Sequence, residues 1–219
     1  MKLVNRSDWP DERIKGLLAG VPFFNEVLRA DAEQFQLLLD HADVLVAQPG
    51  DVVMRQGDDD NYLYFLLRGQ LGVMADQREA GSQVLNYISP GEVFGTLAML
   101  RGTPRTATIR VDDATREAVL ARIDFTLFSN IRAASVFSLG TRLSFYTMLV
   151  HNIRWTLEVN RMQEPEHPVV SQLRKVPLYT GAKGTEEELD ALHQQAHVLA
   201  DLLCQWNESP PAMGNMQLT

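Results

Sequence analysis

The sequence predicts an α+β chain: an antiparallel β-roll, jelly-roll-like, preceded by short helices and followed by a long helix and an added helical extension. Three observations predict it. Between Val44 and Ile123, short runs of β-prone residues alternate with turn glycines at positions 50, 57, 69, 81 and 91, the spacing of compact antiparallel strands. Beyond Phe125 the apolar residues recur at helical steps of three and four. The 219 residues suffice for one domain with its own core plus an appendage.

Each element follows from local chemistry. Trp9-Pro10-Asp11-Glu12 opens a first helix, with proline and acidic residues where a helix start tolerates or favours them. Asp31 to Gln34 has the form of a capping box before Phe35-Gln36-Leu37-Leu38-Leu39. In the strand that follows Asp60, Tyr62, Tyr64 and Leu66 face one side while Leu63, Phe65 and Leu67 face the other, so both of its faces are expected to be covered.

In the long helical segment, Val136, Leu139, Leu143, Tyr146, Val150, Ile153, Leu157 and Asn160 trace a heptad seam of about three repeats. Such a seam suits a homodimer, or it packs on the chain's own roll. Residues 165–219 read as a Pro-containing linker, one helix from near Thr185 and a tail after Ser209 that is expected to be mobile. That helix carries the stripe Leu189, Leu192, Ala196, Leu199, Leu203 and Trp206, which must be buried on the domain's own surface or on a partner protein. The divisions expected are therefore 1–125 for the N-terminal helices and roll, 126–164 for the long helix, and 165–219 for the extension.

Composition narrows the function. A net charge of −8 opposes broad binding to nucleic-acid phosphates. The extension is acidic as well, with Glu166, Glu186, Glu187, Glu188, Asp190, Asp201 and Glu208 against Arg174, Lys175 and Lys183, and shows no pair of helices with a β wing. DNA binding is not expected. No apolar run spans a bilayer and the first residues lack a secretory core, so a cytoplasmic protein without a membrane segment is expected. Cys204 stands alone, which fits a reducing compartment.

No nucleophile, base and orienting group form a recognisable set and no Gly-Lys-Ser/Thr phosphate loop occurs, so a non-enzymatic role is expected. His193 and His197, four apart, lack the glutamate of a metalloprotease helix and read as exposed polar residues. Asp58-Asp59-Asp60 lacks the alternation of a calcium loop and reads as a solvated turn. No metal and no cofactor are expected.

The segment Phe94 to Thr108, FGTLAMLRGTPRTAT, carries the most chemistry. Gly95 permits a tight turn and close approach of backbone to a ligand. Thr96-Leu97-Ala98-Met99-Leu100 can form one short helical turn whose first amides face an anion. Arg105 adds a planar fork of donors suited to a phosphate.

This order of residues resembles the phosphate-binding cassette of cyclic-nucleotide-binding domains. The resemblance covers about residues 20 to 160 and includes Val21-Pro22-Phe23-Phe24, Pro49-Gly50-Asp51, Arg55-Gln56-Gly57-Asp58 and Tyr62 through Gly69. It implies a non-enzymatic regulatory protein that binds cAMP or cGMP through Phe94, Gly95, Thr96, Leu97, Ala98, Arg105 and Thr106 and signals to a protein partner. In many bacterial members the long helix also pairs two subunits and sets side chains over the base, which nominates Arg154 and Trp155. The Arg-Thr-Ala order tilts the expectation toward guanine without excluding cAMP.

At one position the chain departs from the family. An acidic residue normally follows Phe-Gly and accepts from the ribose 2′-hydroxyl, and here Thr96 stands in its place. Losing a charged hydrogen bond costs about 1.5–3 kcal/mol, roughly ten- to 150-fold in affinity. The expectation is a weakened or altered ligand site, with an ordinary site or an empty pocket left open. A ligand-independent dimer or adaptor is the alternative, and a transcription regulator is less favoured.

Overall fold

The computed structural model describes residues 1–4, 9–74 and 84–209; the turn expected at Gly81 and the tail expected from residue 210 onward lie outside them. The chain begins β1 (Lys2–Leu3), α1 (Asp11–Leu18), α2 (Pro22–Ala30), α3 (Ala32–His41) and β2 (Ala42–Ala47). It continues through β3 (Val52–Met54), β4 (Tyr62–Arg68), β5 (Leu71–Met74), β6 (Val84–Ile88), β7 (Val93–Phe94), α4 (Thr96–Arg101), β8 (Thr108–Val111) and β9 (Ala118–Asp124). Helices α5 (Thr126–Ser129), α6 (Leu139–Gln163), α7 (Val169–Leu173) and α8 (Glu186–Glu208) follow.

The strands pair antiparallel in two sheets, ordered β1-β2-β9-β4-β7 and β3-β8-β5-β6. Alternation along β4 sets the layers. Leu63 and Phe65 join a core shared with the helices, whereas Tyr64 and Leu66 join a second core that includes Ile109 and Val111 of the facing sheet. Strand β9 alternates the same way, with Val119, Ala121 and Ile123 toward the helices and Ala118 and Leu120 toward the roll. The first sheet is thus a wall with packing on both sides, as its unbroken apolar runs require.

Three helices precede β2, one more than the sequence reading expected. Val21-Pro22-Phe23-Phe24 is the start of α2, with Val21 as N-cap and proline in the first turn. Its two aromatics lie against Phe65, at ring distances of 6.2 and 4.9 Å. The capping box before α3 is only half formed. Asp31 accepts from the amides of Glu33 and Gln34, but the Gln34 carboxamide turns away and accepts from the Ser138 amide at 2.7 Å and the Thr141 hydroxyl at 3.0 Å. Its oxygen therefore ties α3 to the start of α6.

The heptad seam is filled within the chain. Tyr146, Val150, Ile153 and Leu157 are buried in the core that also holds Leu189, Ala196, Leu199 and Leu203 of α8, and α6 and α8 pack along each other. Val136, by contrast, precedes α6 and is exposed, and Leu139 and Leu143 are half-buried. A three-and-four period fixes which face of a helix is covered but not whose side chains cover it, and here α8 does. The linker also contains α7, whose Val169, Val170 and Leu173 are buried. Thr185 caps α8 by accepting from the Glu188 amide, and Lys183 beside Glu188 holds that carboxyl below the usual carboxylate range.

Candidate functional site

The segment from Phe94 to Arg105 leaves the first sheet at β7, turns through α4 and returns toward the second sheet. Phe94 is buried and stacks on Tyr64, with ring centroids 5.4 Å apart. Gly95 has φ 84°, and a Cβ added there would lie 2.6 Å from Arg105 Nη1. The left-handed backbone would strain any other residue there, and the Arg105 guanidinium would have to shift to admit a side chain. Thr96 and Ala98 are buried and Leu97 is half-buried. Gly102, also left-handed, ends α4 by donating its amide to the Ala98 carbonyl.

Arg105 is only 2 % exposed, and its guanidinium is caged. Nε donates to Asp60 Oδ2 at 3.2 Å and Nη1 to the Gly95 carbonyl at 2.9 Å, while Nη2 donates to Asp60 Oδ1 and to the Tyr62 carbonyl. The backbone is tied to the same turn, with the Arg105 amide donating to the Asp58 carbonyl at 2.8 Å. A buried guanidinium needs such a set, since each unpaired donor would cost desolvation energy.

Burial raises the Asp60 pKa, but hydrogen bonds from Arg105 and the Tyr62 amide, with the charges of Arg105 and Arg122, outweigh it and hold the carboxyl below its ordinary value. Arg122 lies over the Tyr62 ring at 4.0 Å and pairs with Asp43 at 2.9 Å. The wall beside the cassette therefore alternates acid, aromatic and base.

Asp60 is the residue that sequence reasoning missed. Read as part of a solvated turn, it is instead the acid that balances Arg105 while also accepting from the Tyr62 amide, and Asp58 of that triplet accepts from the Arg55 amide. Forty-five positions separate Asp60 from Arg105. The available signal was its place just before an apolar strand, where the chain enters the roll wall.

The other nominated residues are dispersed. Thr106 is exposed beside the buried Arg105. Trp155 is 68 % exposed, and Arg154 keeps Nε and Nη2 buried without a partner. Among the described residues, no hydrogen bond or ring contact joins Arg154 or Trp155 to the cassette. The packing neighbours of α4 are α8 and β4. His193 and His197 are half-buried, not exposed, with Nε2 atoms 3.3 Å apart and His193 against the Tyr146 ring. Among the described residues no group of three His, Cys, Asp or Glu side chains is placed to hold a metal ion, and no helix is long and apolar enough to cross a membrane.

A two-sheet roll flanked by helices, with a glycine-led turn closing over a buried arginine, defines the chain as a β-roll protein. Residues 44–133 match the family model of the cyclic nucleotide-binding domain. A crystal structure of a cyclic nucleotide-binding domain from Methylobacillus flagellatus superposes with a TM-score of 0.51 at 17% identity, covering 65% of this chain and 82% of that one. The chain is similar to the cAMP-dependent protein kinase regulatory subunit of Eremothecium gossypii, at 27% identity over 136 residues, 61% of this chain. It is also similar to lysophospholipase nte1 of Neurospora crassa, at 34% identity over 82 residues, 37% of this chain. The matched segments span 27% of the first relative's length and 5% of the second's.

Proposed function

We propose that this chain is a non-enzymatic regulatory protein whose cassette binds a cyclic nucleotide, cAMP or cGMP, or a related anionic ligand, and signals to a protein partner. The supporting observation is Arg105, a guanidinium buried at the end of the cassette beside the Gly95 turn. Its charge and fork suit a cyclic phosphodiester. Thr96, buried where the family carries an acid, cannot supply a charged acceptor for the ribose hydroxyl, so affinity is weakened and specificity altered.

The reading extends to a cytoplasmic homodimer. With Tyr146, Val150, Ile153 and Leu157 occupied inside the chain, α6 offers a second copy its other face, where Trp155 and Met162 are exposed seven residues apart. The alternative, a ligand-independent adaptor, draws on the same cage, because Asp60, Tyr62 and Gly95 already satisfy Arg105.

Thermal unfolding separates the two. A ligand that binds the folded state raises its Tm with concentration. Millimolar cAMP or cGMP is expected to raise the Tm of the wild type, Arg105→Lys to shrink that rise, and Thr96→Glu to tighten binding about ten- to 150-fold. No rise with either nucleotide favours the adaptor; a rise undiminished in Arg105→Ala places the ligand elsewhere.

A further inference from the structure

The paired histidines of α8 play no part in the proposed function, yet their placement is closely fixed. His193 and His197 lie about one helical turn apart, which sets both side chains on one face. Their Nε2 atoms face each other at 3.3 Å, and their ring centroids are 4.5 Å apart with planes inclined at 55°. Both residues are half-buried, and each is followed by an exposed one, Gln194 and Val198. The pair therefore sits at the margin between packed core and solvent.

His193 is supported from the core side. Its ring packs on that of Tyr146 in α6, with centroids 5.1 Å apart, and the Tyr146 hydroxyl is itself fixed by donating to the Phe128 carbonyl at 3.0 Å. The Ser129 backbone is a further hydrogen-bond partner of His193, and Asp190 adds negative charge beside it. Metal-ligating histidines carry support of this kind, a backbone partner orienting the ring while the other nitrogen ligates. Burial, and next the neighbouring His197, hold the His193 pKa below the ordinary histidine value. Neutral imidazole, the form that ligates, is favoured accordingly.

We infer that His193 and His197 chelate a divalent transition ion of borderline softness, zinc by its geometry. Two Zn–N bonds of about 2.0–2.1 Å at a tetrahedral angle set the nitrogens about 3.3–3.4 Å apart, and the pair already has that spacing. The histidine χ2 torsion is broad, so the rings can turn to aim both lone pairs at one ion. Imidazole nitrogens suit zinc, copper or nickel, whereas magnesium and calcium take oxygen ligands. Among the described residues no third His, Cys, Asp or Glu joins the group, so water completes the coordination and the ion binds reversibly. The helix holds the two ligands in register only when folded, so the bound ion stabilises the native chain. The site is separate from the cassette and stands even if no nucleotide binds there.

The test is titration of the full chain with Zn²⁺, followed by calorimetry and by thermal unfolding, with Mg²⁺ as the control ion. Wild type is compared with His193→Gln, His197→Gln and His151→Gln, the last at an exposed position of α6. One Zn²⁺ per chain is expected, with a Tm that rises with Zn²⁺ and not with Mg²⁺. Losing either chelating ring should weaken binding by roughly 10- to 100-fold, the cost of losing even an outer-shell partner, while His151→Gln leaves it unchanged. Circular dichroism without metal checks the fold of each variant; should His193→Gln unfold, His197→Gln decides. A wild type that does not bind Zn²⁺, or binding undiminished in His197→Gln, overturns the site.

Discussion

The aromatic core beneath the helices and the cassette margin are held by different physics. Facing the helices, Phe65 meets Phe23 and Phe24, and Phe145 lies on Phe128 at 3.8 Å, in a core with many interchangeable contacts. At the cassette margin, Arg105 has a small set of named partners, each at hydrogen-bond distance. Aromatic packing spreads its energy over many weak contacts. A buried charge concentrates it in a few, so that losing one partner leaves the rest in a poor environment. The first region suits permanence, and the second depends on each named partner staying in place.

Removing bulk from the aromatic side should have the largest effect. Phe145→Ala deletes a fully buried ring and should destabilise the fold by about 3–5 kcal/mol in urea unfolding. A loss under 1 kcal/mol would mean that this core is redundant. Next comes Asp60→Ala, which strands the buried guanidinium. Because Asp60 retains contact with solvent, the expected cost is about 2–3 kcal/mol, below that of breaking a fully buried pair.

Asp60→Asn keeps an acceptor and should cost least, about 1 kcal/mol, but it should change the response to acid. With its folded-state pKa held down, Asp60 contributes fully above the ordinary aspartate value of about 3.9 and loses that contribution as pH falls through the lower folded value. Wild type should therefore lose more stability than Asp60→Asn on acidification below about pH 4. Parallel curves for the two proteins would sever Asp60 from the cage.

These two regions also differed in how far the sequence announced them. Alternation in Tyr62 to Leu67 foretold a strand covered on both faces, because the side-chain period of a strand is local information. The turn at Gly95 and the helix from Thr96 were equally legible, since glycine and a short apolar run act within a few residues. The Arg105 cage was not, because Asp60 gains its role only when the roll closes over a sequence separation of 45. The covering of α6 was hidden for a related reason. Tyr146 and Leu157 prescribe a buried face, and only the return of α8, itself ordered by Thr185 and Leu189, decides that the cover belongs to the same chain. In α2, the proline at position 22 could have signalled a helix start, but the paired phenylalanines that follow do not show helical spacing by themselves.

The Gln34 oxygen that joins α3 to Ser138 and Thr141 closes a loop of 104 residues with a single side chain. A contact of that span is entropically expensive until the strands between its ends have already shortened the chain. The order of assembly expected from this is that the roll gathers first, its closure brings positions 34 and 138 within reach, and the carboxamide then fixes where the long helix starts. Refolding is therefore expected to be paced by the strands, with the start of α6 tied down after them by the Gln34 amide and by the packing of Phe145 on Phe23 and Phe128.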